Sequence, residues 1–526
     1  EAMPQQLVCA AVELARGLPN VHAIASMRDG AAYEDDDPVF VENMAMYYAR
    51  RKKVPDLLEA VQQALRQVVG AYAIAVVEKG NHDRIVAARQ SSPMVVGVGD
   101  GEFFLSSDAA SIIEYTEDFV YVGDGEIAVI DRNAPLKIVT LDNHDAKIDI
   151  KKLQLSISQL EKGGYPHFML KEIYEQPRTI VDCIRGRINP DTCEVKLSGV
   201  IDHRDRFVNA RRIIFVACGT SWHASLIGEH LVESICRIPV EVEYASEFRY
   251  RNPIIREDDI VVAVSQSGET ADTLAAVRIA RAKGAQVFAV TNCVGSRITR
   301  ESDGVLYVRA NMEISVAATK SFLAQIACLM LIAMFLGQKK GRLTTRQVNS
   351  LYYDLRETPS QIEDILQDTA EIEKAAKLIA KAHSVMYVGR GIGSTICYEG
   401  ALKLKEISYL HAEAYPAGEL KHGPIALLDE TVPVVAVVTD SPTRMQTLSN
   451  VQEILARKSH VVAVATEGDE EATRIADCVL YVPPCKDWCS AITASVPLQL
   501  LARYVALERG CDVDHPRNLA KSVTVE

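Results

Sequence analysis

The chain lacks an apolar run long enough to span a membrane, and it lacks a cluster of basic residues. Its most apolar stretch, residues 322–337, is interrupted by Gln325 and is shorter than the roughly 20 residues of a membrane helix, so we predict a buried core helix there. Lys and Arg number 57 against 70 Asp and Glu, which gives a formal charge of −13. This charge argues against a nucleic-acid-binding protein, whose surface is usually basic. Residues 1–17 show no basic start followed by an apolar segment, so no signal peptide is evident.

Cysteines at the spacing of a metal or redox motif are missing as well. The twelve cysteines are scattered through apolar segments, and Cys485 and Cys489 match neither a zinc ribbon nor a thioredoxin motif. Scattered cysteines in a chain of this length are typical of reduced thiols. We therefore expect a cytoplasmic protein without a metal site.

What the chain does contain is an internal repeat. Several segments recur in the same order at an offset of roughly 172 to 175 residues, which indicates that one fold occurs twice. The pairs are 211–221 with 383–393, 258–267 with 431–441, 280–292 with 455–467, and 302–308 with 476–482. Each copy alternates a short Val/Ile-rich run, a Gly/Ser-rich turn and a helical segment, which is typical of a parallel sheet covered on both faces. We predict two tandem doubly wound α/β domains.

The length of the chain and this repeat divide it into regions. Residues 1–160 show a helix pattern followed by strands with polar turns, which predicts a separate α+β region and a linker. Residues 161–345 form the first repeat domain with a leading helix. Residues 346–526 form the second repeat domain with a C-terminal tail.

One turn of the first repeat domain is rich in hydroxyl groups. The segment SQSGETADTL, residues 265–274, follows an apolar strand and opens a helix. A helix N-terminus favours an anion, and Ser265, Ser267 and Thr270 add hydrogen-bond donors. The lysine of a nucleotide-binding Walker loop is missing, so a single phosphate monoester fits better than a nucleotide. A helix cap with spare hydroxyl groups explains this turn alone equally well. Thr220 and Ser221 after the neighbouring strand favour the phosphate site.

A second group of candidates lies in the second repeat domain. Glu399, Lys403 and Glu406 are spaced i, i+4, i+7 and share one helix face. A solvated ladder of ion pairs is the usual explanation for such a face, but the apolar neighbours leave little wet surface. His422 follows in a Gly/Pro-rich loop, where functional residues concentrate, although a single loop histidine is more often incidental.

Taken together, these motifs resemble the glutamine–fructose-6-phosphate aminotransferase family, which makes glucosamine 6-phosphate with two sugar-isomerase (SIS) domains. The resemblance covers residues 165–526, and its motifs are residues 171–177, 217–221, 265–274, 399–424 and 512–526. Residues 40–135 are similar to the second half of the family's glutaminase domain. The resemblance implies two tandem doubly wound parallel-sheet SIS domains, preceded by a partial α+β Ntn-hydrolase-like glutaminase region.

The resemblance also implies the substrates and their binding residues. The substrate is fructose 6-phosphate, the nitrogen comes from glutamine or ammonia, and no cofactor is required. The residues implied for the phosphate and the sugar are Ser221, Ser265, Gln266, Ser267 and Thr270, with Thr220 beside the sugar and backbone contacts from Val316 and Ala520.

Four residues carry the implied chemistry. Lys521 corresponds to the lysine that forms a Schiff base with the open-chain ketose, and desolvation is expected to keep its amine partly neutral. Glu406 corresponds to the base that moves a proton between C1 and C2, with Lys403 as the neighbouring cation. His422 corresponds to the residue that opens the sugar ring from the partner subunit, which implies a homodimer.

The sequence departs from the family in two places. Ala318 stands where the family usually has a serine that contacts the sugar, so we expect modestly weaker binding. The N-terminal cysteine of the family's glutaminase is absent, and Cys9 is interior. We therefore expect no glutamine hydrolysis by this chain and interpret it as a fragment of a longer synthase.

Two other functions remain open on the sequence. A sugar-phosphate isomerase or deglycase would work without glutamine, and this explains the missing nucleophile but not the glutaminase-like region. A non-catalytic SIS regulator would need only the phosphate turns. The joint presence of Lys403, Glu406, His422 and Lys521 argues against such a regulator.

Overall fold

The computed structural model describes residues 21–26, 56–66, 68, 72–78, 81–90, 94–106, 112, 115–152 and 161–523. Cys9, the one early cysteine, lies outside these residues. The chain forms two compact units. One comprises residues 1–161 with 522–526, and the other comprises residues 162–521.

The smaller unit is an α+β fold, as predicted. Its strands are β1 Val21–Ser26, β2 Tyr72–Glu78, β3 Asn81–Gln90, β4 Val95–Val98, β5 Phe103–Ser106, β6 Asp118–Tyr121, β7 Glu126–Asp131, β8 Lys137–Thr140 and β9 Ile150–Lys152. They form two antiparallel sheets of order β1-β2-β3-β7-β8 and β5-β4-β6-β9. Helix α1, Leu57–Leu65, packs Leu58, Val61 and Leu65 onto the first sheet.

The larger unit begins with the first repeat domain. Its strands are β10 Arg212–Ala217, β11 Val240–Tyr244, β12 Asp259–Ser265, β13 Gln286–Thr291 and β14 Gly304–Tyr307. Its helices are α2 Phe168–Tyr174, α3 Gln176–Ile184, α4 Arg204–Asn209, α5 Gly219–Cys236, α6 Ala245–Tyr250, α7 Ala271–Ala282, α8 Arg297–Glu301 and α9 Lys320–Lys339, with a 3-10 helix at Ser198–His203. The sheet is parallel throughout, in the order β11-β10-β12-β13-β14.

The second repeat domain follows the same plan. Its strands are β15 Ser384–Gly389, β16 His411–Pro416, β17 Val434–Val437, β18 Val461–Thr466 and β19 Cys478–Val482. Its helices are α10 Thr345–Gln367, α11 Ala370–Ile379, α12 Ile392–Ser408, α13 Arg444–Leu455, α14 Glu470–Ile475, α15 Asp487–Thr493 and α16 Ser495–Glu508, with 3-10 helices at Ala417–His422 and Pro424–Leu427. The parallel strand order is β16-β15-β17-β18-β19.

The two sheets therefore share one topology, and this confirms the prediction made from the repeat. Every residue of β12 and of β17 is buried, as expected for central parallel strands covered by helices on both faces. The corresponding helices α5 and α12 pack against each other. Each of these helices follows the first strand of its sheet, so their contact joins the two repeat domains within residues 162–521.

The apolar segment at residues 322–337 forms most of α9 and is buried, as predicted. Among the described residues, two helical stretches have the length and composition of a membrane span, Lys320–Lys339 and Asp487–Glu508. The most apolar part of each is 94% and 89% buried in the fold, respectively, which is the burial of core helices.

Candidate active site

The first candidate site lies where the order of strands changes direction in the first repeat domain. Strands β10 and β12 are parallel neighbours. The chain continues from β10 to β11 on one side of this pair and from β12 to β13 on the other side. Ligands of doubly wound sheets bind outside the carboxyl ends of such strands. Helix α5 starts directly after β10, and the turn at residues 266–270 connects β12 to α7.

Gly268 allows this turn to form. Its φ is +68°, and a Cβ placed there would lie 2.2 Å from Ser296 Oγ, so a side chain is excluded on both grounds. Inside the turn, the Gly268 N–H donates to Ser265 Oγ at 3.0 Å and the Glu269 N–H donates to Ser267 Oγ at 3.2 Å. Ser267 keeps its hydroxyl proton for a ligand, because its oxygen only accepts within the turn.

The other predicted polar groups lie around this turn. Thr270 Oγ1 is 3.3 Å from Ser265 Oγ, and the Gln266 carbonyl accepts from the Asn292 N–H at 3.1 Å. Ser221, in the first turn of α5, is buried, and its Oγ accepts from Gln325 Nε2 at 3.0 Å. The amide that interrupts the apolar segment in the sequence therefore orients one of the predicted hydroxyl groups.

The acid within the turn is neutralised by a neighbouring helix. Glu269 accepts from the backbone N–H of Arg297 at 2.8 Å and from its Nε at 3.1 Å. Its negative charge is thus engaged at the start of α8. The hydroxyl groups and the free N–H groups of the α7 N-terminus are left to favour an anion.

In the charged row on α12, Glu399 and Lys403 are buried and Glu406 is half-buried, so a solvated ladder is the wrong explanation for it. Lys403 is 1% exposed, and its Nζ lies 2.6 Å from Glu406 Oε2 and 3.4 Å from Glu399 Oε1. It also donates to Thr220 Oγ1 at 3.1 Å, and that hydroxyl donates to Glu399 Oε1 at 3.1 Å. Burial disfavours the ammonium, but the two carboxylates outweigh burial and raise the pKa of Lys403 above its usual value.

His223 belongs to this cluster, although the sequence did not single it out. Its Nδ1 lies 2.7 Å from Glu399 Oε2, and its ring stacks on Tyr398 with centroids 6.1 Å apart. It follows Thr220 by three residues on α5, so both face α12. That spacing is the signal that would have identified it.

Lys521 is held by an acid that the sequence analysis also missed. Its Nζ donates to Glu313 Oε2 at 2.7 Å and to the Ser315 carbonyl at 2.8 Å. Glu313 Oε1 accepts from the N–H groups of Thr319 and Ser321 at the start of α9. Burial works against the carboxylate, yet Lys521 and these donors lower the pKa of Glu313 to about 2. Desolvation alone does not describe this site, because the amine is held in an ion pair with a buried carboxylate.

The C-terminal tail that carries Lys521 is anchored at several points. The Val316 N–H donates to the Asp514 carbonyl at 3.1 Å, so a contact from Val316 to a sugar would have to use its carbonyl. The Arg517 N–H donates to the Tyr409 hydroxyl at 2.8 Å, and its guanidinium lies 4.3 Å from that ring's centroid. Ala318 and Ala520 are both half-buried.

His422 is not brought into these clusters. It is exposed at the end of the 3-10 helix Ala417–His422, and no hydrogen bond or ion pair joins it to another described residue. The structure therefore places the remaining catalytic candidates in two buried groups, one around Lys403 and one around Lys521.

Comparison with known proteins identifies the fold and the family. The SIS domain family matches residues 206–335 and 378–509. The glutamine–fructose-6-phosphate aminotransferase (isomerizing) of Bacteroides thetaiotaomicron is 53% identical over 471 residues, 90% of this chain and 77% of the relative. The enzyme of the same name from Chlorobaculum tepidum is 48% identical over 95% of this chain and 81% of the relative.

A solved structure agrees with these relatives. The C-terminal domain of glucosamine-fructose-6-phosphate aminotransferase from Francisella tularensis is 36% identical, with a TM-score of 0.65 over 68% of this chain and 100% of that one. The chain belongs to the isomerizing glutamine–fructose-6-phosphate aminotransferase family, with two SIS domains in residues 162–521.

Proposed function

We propose that the chain converts fructose 6-phosphate to glucosamine 6-phosphate, the first step of amino-sugar synthesis, with nitrogen from ammonia, which the family obtains from glutamine. The observation that carries the proposal is the buried Lys403, which lies between two carboxylates and contacts Thr220 at the edge of the first SIS sheet. A protein that only binds sugar phosphates gains nothing from a buried ammonium–carboxylate pair beside its site. Burying such charges is costly, and perturbed groups of this kind concentrate at catalytic sites.

Substrate binding is assigned to the first SIS domain. The phosphate accepts hydrogen bonds from Ser221, Ser265, Gln266, Ser267 and Thr270 at the edge of the sheet, and the α7 N-terminus adds its dipole. Thr220, Val316 and Ala520 contact the sugar. The site uses neutral donors instead of Lys or Arg, which suits a monoester that must later leave as product.

The imine step is assigned to Lys521. After the ring has opened, Lys521 leaves Glu313, transfers a proton to solvent or to that carboxylate, and attacks C2. The C2 oxygen leaves as water when the imine forms. Ammonia then adds to C2 and displaces the lysine, which restores the free amine and leaves nitrogen on the sugar.

The isomerisation step is assigned to Glu406. This carboxylate removes a proton from C1 of the sugar imine and returns a proton to C2, while the proton of the C1 hydroxyl moves to the nitrogen, so that the product is an aldose with an amino group at C2. Its ion pair with Lys403 at 2.6 Å fixes its orientation. His422 is assigned to ring opening and acts from a second subunit. Its exposure in one chain supports this assignment.

The homodimer and a cytoplasmic location are part of the same proposal. The exposure of His422 supports a site that is completed by a partner subunit. The scattered cysteines support the cytoplasm. Sedimentation of the purified protein tests the dimer. A second experiment mixes the inactive variants His422→Ala and Lys521→Ala, and part of the activity should return if each site combines Lys521 of one chain with His422 of the other.

The experiment that tests the function is incubation with fructose 6-phosphate and either ammonium or glutamine. Glucosamine 6-phosphate, identified by mass spectrometry, is the expected product with ammonium. Glucose 6-phosphate as the sole product would favour the glutamine-independent isomerase. Binding of the sugar phosphate without turnover would favour a regulator.

A further inference from the structure

The leading helix α2 has no part in the proposed chemistry, although its segment KEIYEQP is a motif of the family resemblance. Its N-terminus is capped by the tail: Asp514 accepts from the N–H groups of Phe168 at 2.9 Å and Met169 at 2.8 Å. One turn further on, α2 carries Glu172, which is only 2% exposed. A glutamate is rarely buried unless it is paired, so the burial of Glu172 calls for a partner outside α2.

Glu172 is bonded to the loop that holds Lys521. Its Oε1 accepts from the backbone N–H groups of Ile314 and Ser315, the latter at 3.1 Å, and its Oε2 is bonded to Ser315 Oγ. The carbonyl of Ser315 in turn accepts from Lys521 Nζ at 2.8 Å. The loop thus lies between the acid on α2 and the amine on the tail.

We propose that Glu172 is a positioning residue for Lys521, which fixes the loop at residues 313–316 so that Glu313 and the Ser315 carbonyl hold the amine ready for attack. This inference rests on the proposed function, because it assigns a role relative to the imine-forming lysine. No hydrogen bond joins Glu172 to Lys521, and the bonded link between them runs through the loop, so Glu172 acts on the geometry of the amine and not on the substrate.

The hydrogen bonds around Glu172 can accommodate a neutral acid when the loop is in place. Ser315 Oγ lies near two acceptors, Glu172 Oε2 and the Ala317 carbonyl at 3.0 Å, but it has one proton. Both bonds are satisfied when Glu172 carries a proton and donates it to Ser315 Oγ. Burial and the charge of Glu313 raise the pKa of Glu172 to about 7, against the opposing effects of the Lys521 charge, the Ser315 hydrogen bond and the Lys320 charge.

This pattern makes glutamine a matched replacement. Glu172→Gln can accept the two backbone N–H groups with its oxygen and donate to Ser315 Oγ with its amide, as the protonated acid does. Glu172→Leu has a similar size and makes none of these bonds. Glu175→Gln is the control, because Glu175 is on the same segment but pairs with Lys320 at 2.6 Å instead of contacting the loop.

The test is the rate at which borohydride traps fructose 6-phosphate on Lys521 in the full chain, together with kcat and KM. We expect Glu172→Leu to lower the trapping rate and kcat about 100-fold, as small displacements of reacting groups do, with KM within about twofold. Glu172→Gln should stay within about threefold of the wild type, and Glu175→Gln should be unchanged. A purely structural role would reduce the amount of folded protein. It would not slow trapping by folded Glu172→Leu while leaving KM unaffected.

The outcomes separate this inference from the proposed function. Wild-type protein that traps no sugar on Lys521 would contradict the proposed function itself. Normal trapping by folded Glu172→Leu, with normal wild-type trapping, would overturn only the role of Glu172. If Glu172→Leu does not fold, Ser315→Ala decides, because it removes the hydroxyl link and keeps the backbone; about tenfold slower trapping supports the inference, and an unchanged rate overturns it.

Discussion

The two SIS domains share a strand order, but the turns after their equivalent strands differ in charge. After β12 the turn at 265–270 carries three hydroxyl groups, and its one acid is bound by Arg297. After β17 the corresponding turn carries Asp440, and α13 begins with Arg444, whose guanidinium is bound to Asp469 at 2.7 and 2.8 Å. Asp440 forms no salt bridge with another described residue, and the Arg444 cation is already occupied, so the second turn is a poor anion site.

The helices after the first strand of each sheet differ in the same way. In the first domain, α5 contributes Thr220 and Ser221 from its first turn, at the carboxyl end of the strand. In the second domain, α12 contributes Glu399, Lys403 and Glu406 from its middle and its end, away from its own sheet edge. Because α5 and α12 pack on each other, the acids and the cation of α12 lie beside Thr220, at the sheet edge of the first domain where we propose that the substrate binds.

This division of labour predicts that substitutions in the two domains affect different kinetic constants. The largest effect is expected for Glu406→Gln, which keeps a hydrogen-bond acceptor for Lys403 but removes the base. We expect kcat to fall about 1,000-fold, the scale of general base catalysis, with little change in KM. Steady-state kinetics with ammonium measures both constants.

The control for Glu406→Gln is imine formation, which precedes proton transfer and should remain. Borohydride should still trap fructose 6-phosphate on Lys521 in this variant. A kcat within tenfold of the wild type would remove Glu406 from the chemistry, and a large rise in KM would break the division between the domains.

The second largest effect is expected for Ser267→Ala combined with Thr270→Ala in the first domain. Hydrogen bonds to a charged group contribute about 1.5–3 kcal/mol each, so we expect KM to rise about 100-fold with kcat changed far less. Calorimetric binding of fructose 6-phosphate gives the same quantity directly. The matched control is Ser441→Ala with Thr443→Ala at the corresponding turn of the second domain, where KM should stay within about twofold. Equal effects at the two turns would contradict the comparison.

Much of this site could be predicted because its signals are local. Hydroxyl residues at two strand ends follow from the pattern of Val/Ile runs and turns, and the shared face of Glu399, Lys403 and Glu406 follows from helix periodicity. The internal repeat gives the two sheets, since each copy repeats the same alternation. The apolar neighbours of Lys403 on α12, Leu402, Leu404 and Ile407, indicated that this face has little contact with water.

The unpredicted part depends on contacts between distant segments. His223 is 176 residues from Glu399, and Lys521 is 208 residues from Glu313. Their partners are set by the packing of α5 on α12 and by the docking of the tail on α2, neither of which a local pattern encodes. Glu313 itself looks like an ordinary acid ahead of a helix until the tail is in place.

A third contrast concerns the loops that follow the last strand of each sheet. After β14 the loop carries Glu313 and faces Glu172, whereas residues 483–486 after β19 contain no acid. The raised pKa of Glu172, about 7 against an ordinary value of 4.5, makes stability depend on pH. In the folded state the acid keeps its proton between these values and in the unfolded state it loses it, so its contribution is full below 4.5 and is lost as pH rises toward 7.

The measurement is the free energy of unfolding of the wild type against Glu172→Gln, whose amide does not titrate. Relative to this variant the wild type should lose stability as pH rises from about 4.5 to about 7, by on the order of 3 kcal/mol. The comparison cancels the opposite contribution of Glu313, which both proteins share. A difference that is constant with pH would show that Glu172 is ionised in the folded protein.

The smallest effect tests the contact through which the two domains act together. His223 on α5 donates to one oxygen of Glu399 at 2.7 Å, while Thr220 and Lys403 occupy the other oxygen at 3.1 and 3.4 Å. Without His223, a buried carboxylate oxygen loses its partner, and the carboxylate gains by turning both oxygens toward Lys403. The ammonium is then drawn away from Glu406, which it contacts at 2.6 Å.

We therefore expect His223→Leu to lower kcat about tenfold, the value of one buried hydrogen bond to a charged group, with KM unchanged. His223→Asn should recover most of this loss, because its amide nitrogen occupies the position of Nδ1 and donates in the same direction. The rise in KM that Ser267→Ala with Thr270→Ala causes should multiply with the loss in kcat, since the two changes act on different steps. If leucine and asparagine gave the same kcat, the histidine would serve packing against Tyr398 alone, and the link from α5 to the acids of α12 would rest on Thr220.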